Sequence, residues 1–199
     1  MIRAIVFDWG GVLIDEPTDE LISYCADVLG VDKKEFGEKA ADHFYAFQKG
    51  LLPEKEFWEK VCAVYSIAPP LQESLWGEAV QHVFRWREDV TDFAIEMKEK
   101  GYAIAFLSNT EQPAAAFFKR MNRIPFDVTV LSCYEGCRKP EEEIYEILCS
   151  RLEMKPEEVV FLDDRHDYVE GSKNFGINTI LFENLEQAKE ELKKLGVKV

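Results

Sequence analysis

The chain has 199 residues, 47% of them hydrophobic, which suits one domain, with or without an insert, built around a sizeable core. Its formal net charge of −14 argues against a protein that grips nucleic-acid backbones, because that task needs a basic face. Small anionic substrates stay open, since local donors or a metal ion can hold a phosphate on an acidic protein.

The first element is the apolar run IRAIVF (2–7), expected as a buried strand that ends at Asp8 and turns through Gly10 and Gly11. The run is too short for the apolar stretch of a cleavable leader, and no later segment has the length of a membrane span. Roughly ninety residues then pass before the next strand signal, several times what a crossover needs. LISYCADVLG, KEFGEKAADHFYAFQKG, EKEFWEKVCAVYS and LQESLWGEAVQHVFRW carry apolar residues at three-and-four spacing, punctuated by Pro17, Gly30, Pro53 and Pro69-Pro70. This interval reads as a helical insert over 16–86. Phe44, Phe47, Phe57 and Trp58 within it suit a core, or the lining of a pocket together with Trp9.

Beyond the insert, a helix over Thr91–Lys100 stops at Gly101, and YAIAFL (102–107) is the second strand. A helix over Gln112–Asn122 leads to DVTVL (127–131). A helix over Pro140–Leu152, with proline and acids at its start, leads to VVFL (159–162). A short helix over Asp167–Asn174 precedes NTILF (178–182), and Leu185–Leu195 closes the chain. The strand runs are apolar on both faces and alternate with helices. The expected fold is therefore α/β: a doubly wound parallel sheet from 1–15 and 87–199, with the helical insert after its first strand. The five cysteines, Cys25, Cys62, Cys133, Cys137 and Cys149, are odd in number and lack zinc-type spacing. They read as reduced thiols of a cytoplasmic protein, and Cys133 and Cys137 as an incidental pair. Nothing in the sequence sets an oligomeric state.

Open parallel sheets collect ligands at the carboxyl ends of their strands. Asp8 follows strand one, Ser108-Asn109-Thr110 ends strand two, Arg138-Lys139-Pro140 follows strand three and Asp163-Asp164 ends strand four. Singly these are ordinary turn or capping residues. Together, in this order, they suit phosphoryl transfer through a covalent aspartate. One carboxylate attacks, a hydroxyl and backbone N–H hold phosphoryl oxygens, a lysine offsets charge, and a further carboxylate holds Mg²⁺.

FDWGGVL, LSNT, SCYEGCRKPEEEIY and FLDDRHDYVEGSKNFGI resemble, in order, the four motifs of the haloacid dehalogenase-like hydrolase superfamily. The resemblance covers about residues 1–15 and 88–182, and the insert falls where that family carries a helical cap, with the weaker likeness FQKGLLPEKEFW. It implies a Rossmann-like catalytic core, a cap over 16–86, and hydrolysis of a small phosphorylated metabolite. It further implies Asp8 as nucleophile, Ser108 and the Asn109 N–H on the phosphoryl group, and Lys139 steadying both. Asp8, Asp164 and the Gly10 carbonyl would hold Mg²⁺, with Asp163 in the outer shell or on Lys139.

Two departures stand out. Gly10 replaces the second aspartate that most phosphatases of the family use as acid and base. Relatives with glycine there resemble the sugar-phosphate phosphatases, and Asp15 or an acid of the cap could take the role. Tyr168 stands where relatives often have asparagine. A silent relative that binds phosphate or a protein, a 2-haloacid dehalogenase, and a phosphorylated receiver domain are the other readings. The insert does not suit the receiver.

Overall fold

The computed structural model describes residues 1–121 and 123–199. Five strands, β1 (Ala4–Phe7), β2 (Ala103–Ser108), β3 (Val128–Leu131), β4 (Val159–Asp163) and β5 (Asn178–Leu181), form one parallel sheet in the order β3-β2-β1-β4-β5. The expected doubly wound α/β core is present. The most apolar strand, β1, takes the centre, where Phe7 pairs with Phe106 of β2 on one side and Leu162 of β4 on the other. This register brings the residues just past β1, β2 and β4 to one edge of the sheet. The strand order reverses at β1, which opens a crevice there.

Alternating residues of each strand feed two apolar clusters. Ile5, Phe7, Ile104, Phe106 and Leu162 lie in one; Ala4, Val6, Ala105, Leu107 and Phe161 lie in the other. The second cluster is closed by Ile144, Tyr145 and Leu148.

Between β1 and β2 lie α1 (Thr18–Leu29), α2 (Lys33–Gln48), α3 (Glu54–Tyr65), α4 (Leu75–Val83) and α5 (Glu88–Glu99). Asp32 caps α2 by accepting from the Glu35 N–H at 2.9 Å, and Ser74 caps α4 by accepting from the Gly77 N–H at 2.9 Å. The Ser74 cap keeps residues 71–74 out of the helix, although the apolar pattern begins at Leu71. At the other end Trp86 leaves the helical path to bridge Ile14, and the Arg87 N–H donates to the Leu13 carbonyl at 2.9 Å. The two connections of the 16–86 segment are thus tied together beside β1. Inside the segment Phe47 stacks on Phe57 with centroids 4.5 Å apart, and both join the apolar cluster that contains Trp9 and Phe7.

The remaining helices are α6 (Gln112–Met121), α7 (Ser132–Glu135), α8 (Glu142–Leu152), α9 (His166–Phe175) and α10 (Leu185–Lys194). Asn122, the expected last residue of α6, lies outside the described residues. The fifth helix starts at Glu88 rather than Thr91, with Glu88 and Asp89 in its favourable first turn. The eighth starts at Glu142 rather than Pro140, because the backbone before it is held elsewhere, as described below. No described helix is long and apolar enough to cross a membrane.

Candidate active site

The residues expected to act meet at the carboxyl edge of the sheet. Asp8, Gly10, Ser108, Asn109, Lys139 and Asp164 line one cavity of about 350 Å³. Lys139 is fully buried, and its Nζ stands 2.8 Å from Asp8 Oδ1 and 2.6 Å from Asp163 Oδ2. The other oxygen of Asp163 accepts from the Arg165 N–H at 2.9 Å, so both of its oxygens are engaged within the protein. Asp163 therefore holds Lys139, one of the two positions expected for it.

Asn109 makes a contact that its expected role did not include. Its Oδ1 accepts from the Lys139 N–H at 2.8 Å, and its Nδ2 donates to the Lys139 carbonyl at 2.9 Å. The side chain grips the peptide of Lys139 at both ends and holds it short of α8. Ser108 ends β2 with 3% of its surface exposed and lies on the cavity wall.

Asp164 has the opposite environment to Asp163. Its Oδ1 is buried and has no hydrogen-bond partner. One carboxylate oxygen from each of Asp8, Asp163 and Asp164 falls within 4.8 Å of the others. Burial pushes the Asp164 carboxyl up to about 6, and the charges of Asp163 and Glu16 add to the effect. Burial likewise pushes Asp8 up to about 7; Lys139 pulls it down and Asp163 pushes it up. Burial disfavours the charge of Lys139, but Asp163 and Asp8 outweigh this and keep it protonated. Crowded carboxylates with an unpartnered oxygen fit a hard divalent cation, which would neutralise them and complete the coordination of Asp164.

The two glycines of the first turn have different reasons. Gly11 has a φ of +74°, and a β-carbon there would lie 2.1 Å from Asp164 Oδ2. Only glycine admits Asp164 so close. Gly10 has no such backbone demand. A β-carbon on it would stand 3.1 Å from both Glu16 Oε2 and Pro17 Cδ. Glu16 thus brings a carboxylate to the place where a side chain at position 10 would begin. Its Oε1 accepts from the Thr18 N–H at 2.8 Å, and it lines the cavity, whereas Asp15 does not.

Helices of the 16–86 segment cover this edge. Trp76 Nε1 donates to Glu111 Oε2 at 2.8 Å, Ser132 Oγ donates to the Gln48 carbonyl at 2.6 Å, and Lys49 Nζ pairs with Glu141 Oε1 at 2.6 Å. Of the aromatic residues flagged in sequence, Trp9 and Phe44 line the cavity, while Phe47, Phe57 and Trp58 are core. Trp76, Glu16, Glu111 and Arg138 also line it. The sequence places Arg138 beside Lys139 without a role of its own, and no spacing singles out Trp76, Glu16 or Glu111, whose positions depend on how separate segments pack. All five cysteines are buried and free.

The model of the haloacid dehalogenase-like hydrolase family matches residues 2–176, and the chain belongs to that family. Among curated relatives, mouse Acyl-CoA dehydrogenase family member 10 is 28% identical over 97% of this chain. The chain spans 19% of that relative's length. Two relatives at lower identity carry different chemistries in their names. A sesquiterpene phosphatase of Aspergillus oryzae is 24% identical over 88% of this chain and 87% of its own. An (S)-2-haloacid dehalogenase of Burkholderia cepacia is 23% identical over 90% and 82%. Two solved structures share the fold. A HAD-like hydrolase from Porphyromonas gingivalis superposes with a TM-score of 0.79 at 24% identity, over 100% of both chains. A HAD family enzyme from Bacteroides thetaiotaomicron, in complex with magnesium and inorganic phosphate, superposes with 0.75 at 22%, over 92% of this chain and 95% of its own.

Proposed function

We propose that the protein is a Mg²⁺-dependent phosphatase of small phosphomonoesters, with 1–15 and 87–199 as catalytic core and 16–86 as cap. The observation that carries the reading is the contrast between two adjacent acids. Asp163 is spent on Lys139 and the Arg165 N–H, while Asp164 keeps a buried oxygen free beside Asp8.

In this reading an Asp8 oxygen attacks phosphorus and the ester P–O bond breaks, so the phosphoryl group passes to the carboxylate and the alcohol leaves. Water then attacks the acyl phosphate and releases inorganic phosphate and free Asp8. Ser108 and the Asn109 N–H receive the phosphoryl oxygens. Lys139 steadies the charge of nucleophile and phosphoryl group. Asp8, Asp164 and the Gly10 carbonyl are the ligands proposed for Mg²⁺, which supplies charge neutralisation to the phosphoryl oxygens. Glu16, at the start of the cap, supplies the acid and base that Gly10 lacks: it gives a proton to the departing alcohol and takes one from the attacking water. The cap excludes bulk water and selects the substrate.

A 2-haloacid dehalogenase would use Asp8 in the same way without a metal, and the free oxygen of Asp164 would then have no purpose. Assay of an aryl phosphate with and without Mg²⁺, beside chloride release from a 2-chloro acid, separates the two. Mg²⁺-dependent release of phosphate is expected; metal-independent chloride release with no phosphatase activity overturns the reading.

A further inference from the structure

We propose that Arg138 forms an anion subsite beside the reaction centre, and that the substrate is a small phosphomonoester carrying a second anionic group, a carboxylate or a second phosphoryl group. The inference rests on the phosphatase reading of the cavity and adds the substrate class.

Arg138 immediately precedes Lys139 and lines the same cavity, with only 7% of its surface exposed. Lys139 is neutralised by two carboxylates. Arg138 forms no ion pair among the described residues. Its Nη2 donates to Tyr168 Oη at 2.7 Å, and its Nε is buried with no partner. Its guanidinium carbon lies 4.2 Å from the centroid of the Tyr45 ring, which supports the cation but brings no negative charge. Glu111 shares the cavity and its carboxylate feels the charge of Arg138, but its Oε2 accepts from Trp76 Nε1 and the two form no direct ion pair. A buried guanidinium with an unused donor and no directly bonded counter-anion is costly for the protein alone. A ligand anion recovers that cost, and the planar fork of donors matches a carboxylate or phosphoryl group.

Tyr168 gives the subsite its position. Its hydroxyl holds Arg138, while its ring centroid lies 4.8 Å from Lys139 Nζ. The tyrosine therefore stands between the cation that serves the nucleophile and the cation that is left over. An asparagine at this position could not span the two. This accounts for one departure of the chain from its family pattern.

The test is calorimetric and uses phosphonates, which bind without turnover. Phosphonopropionate, propylene bisphosphonate and propylphosphonate, each with Mg²⁺, are titrated into the wild-type protein and into Arg138→Gln. Wild type is expected to bind phosphonopropionate, the bisphosphonate, or both about tenfold tighter than propylphosphonate, the effect of one charge-assisted buried contact. Which of the two gains identifies the second anion. Arg138→Gln should bring the three affinities together, at an unchanged circular dichroism spectrum. Equal affinities in wild type, an equal loss for all three in the variant, or binding of none overturns the subsite. Arg138→Lys, which keeps the charge, provides a second variant should the glutamine protein not fold. It should retain part of the preference, and its complete loss in a folded lysine protein would also count against the subsite. Turnover of an aryl phosphate with Mg²⁺ tests the phosphatase reading separately, so the two can fail independently.

Discussion

Gly11 and Asp164 are fitted to each other. The glycine turns with a φ of +74°, and a β-carbon on it would lie 2.1 Å from the carboxylate oxygen of the acid. Gly11→Ala meets two obstacles together, a left-handed backbone and a displaced Asp164 carboxylate, the proposed metal ligand. It should destabilise the fold by about 2 kcal/mol or more and remove the response of melting temperature to Mg²⁺. Gly10→Ala, which carries neither penalty, should cost less than about 1 kcal/mol. Thermal melts of both variants with and without Mg²⁺ check this; equal behaviour of the two would refute the distinction.

The Asn109 clamp gives a second expectation. If only the N–H of Asn109 mattered, any side chain would serve. Asn109→Ala keeps that N–H but loses both hydrogen bonds to the Lys139 peptide. At about 0.5–1.5 kcal/mol each, the loss should total about 1–3 kcal/mol. Catalysis should fall with it, as Lys139 Nζ leaves its place between Asp8 and Asp163. Denaturant melts and kcat/KM on an aryl phosphate provide the measurement. A silent substitution would show that the clamp is incidental.

The raised carboxyls of Asp8 and Asp164 predict that stabilisation by Mg²⁺ depends on pH. Asp8 and Asp164 are pushed up to about 7 and about 6 from ordinary values near 3.8. Their native forms hold protons that the unfolded chain has released, so these two groups favour folding at low pH, and that contribution is lost as pH rises toward 7. A cation needs both deprotonated. The Mg²⁺-induced rise in melting temperature should therefore be small at pH 5 and large at pH 8, and Asp164→Asn should abolish it. An equal rise at both values would place the metal elsewhere.

Glu16 beside Gly10 predicts a dependence on the leaving group. Glu16→Gln should lower turnover of alkyl phosphates by about 10²-fold, the low end for a general acid–base, and aryl phosphates far less. Gly10→Asp alone should give little, because its β-carbon crowds Glu16 Oε2 and Pro17 Cδ and sets two carboxylates together. In the Glu16→Gln background it should restore part of the alkyl activity. A uniform loss across leaving groups would deny Glu16 the role.

The parallel sheet was legible because its strands are apolar on both faces and helices alternate with them. The edge residues followed, since Asp8, Ser108 and Asp163-Asp164 end strands whose register the sheet fixes. Lys139 was legible as the lysine of the loop after strand three, but its burial was not, because the Asn109 clamp that holds its peptide is a contact across 30 residues. Arg138 was visible beside Lys139 yet carried no role, because an arginine's meaning depends on whether an acid pairs with it. Glu16, Glu111 and Trp76 were out of reach for another reason. Helical spacing says which face of a helix is apolar, not which residues hang over another segment's edge.

Rapid acid quench of the protein with an aryl phosphate and Mg²⁺, followed by peptide mass spectrometry, asks whether Asp8 carries the phosphoryl group. A phosphoryl adduct on Asp8, absent from Asp8→Asn and formed no more slowly than turnover, is the expected result. Phosphate release with no adduct on Asp8, or an adduct on another residue, would contradict it.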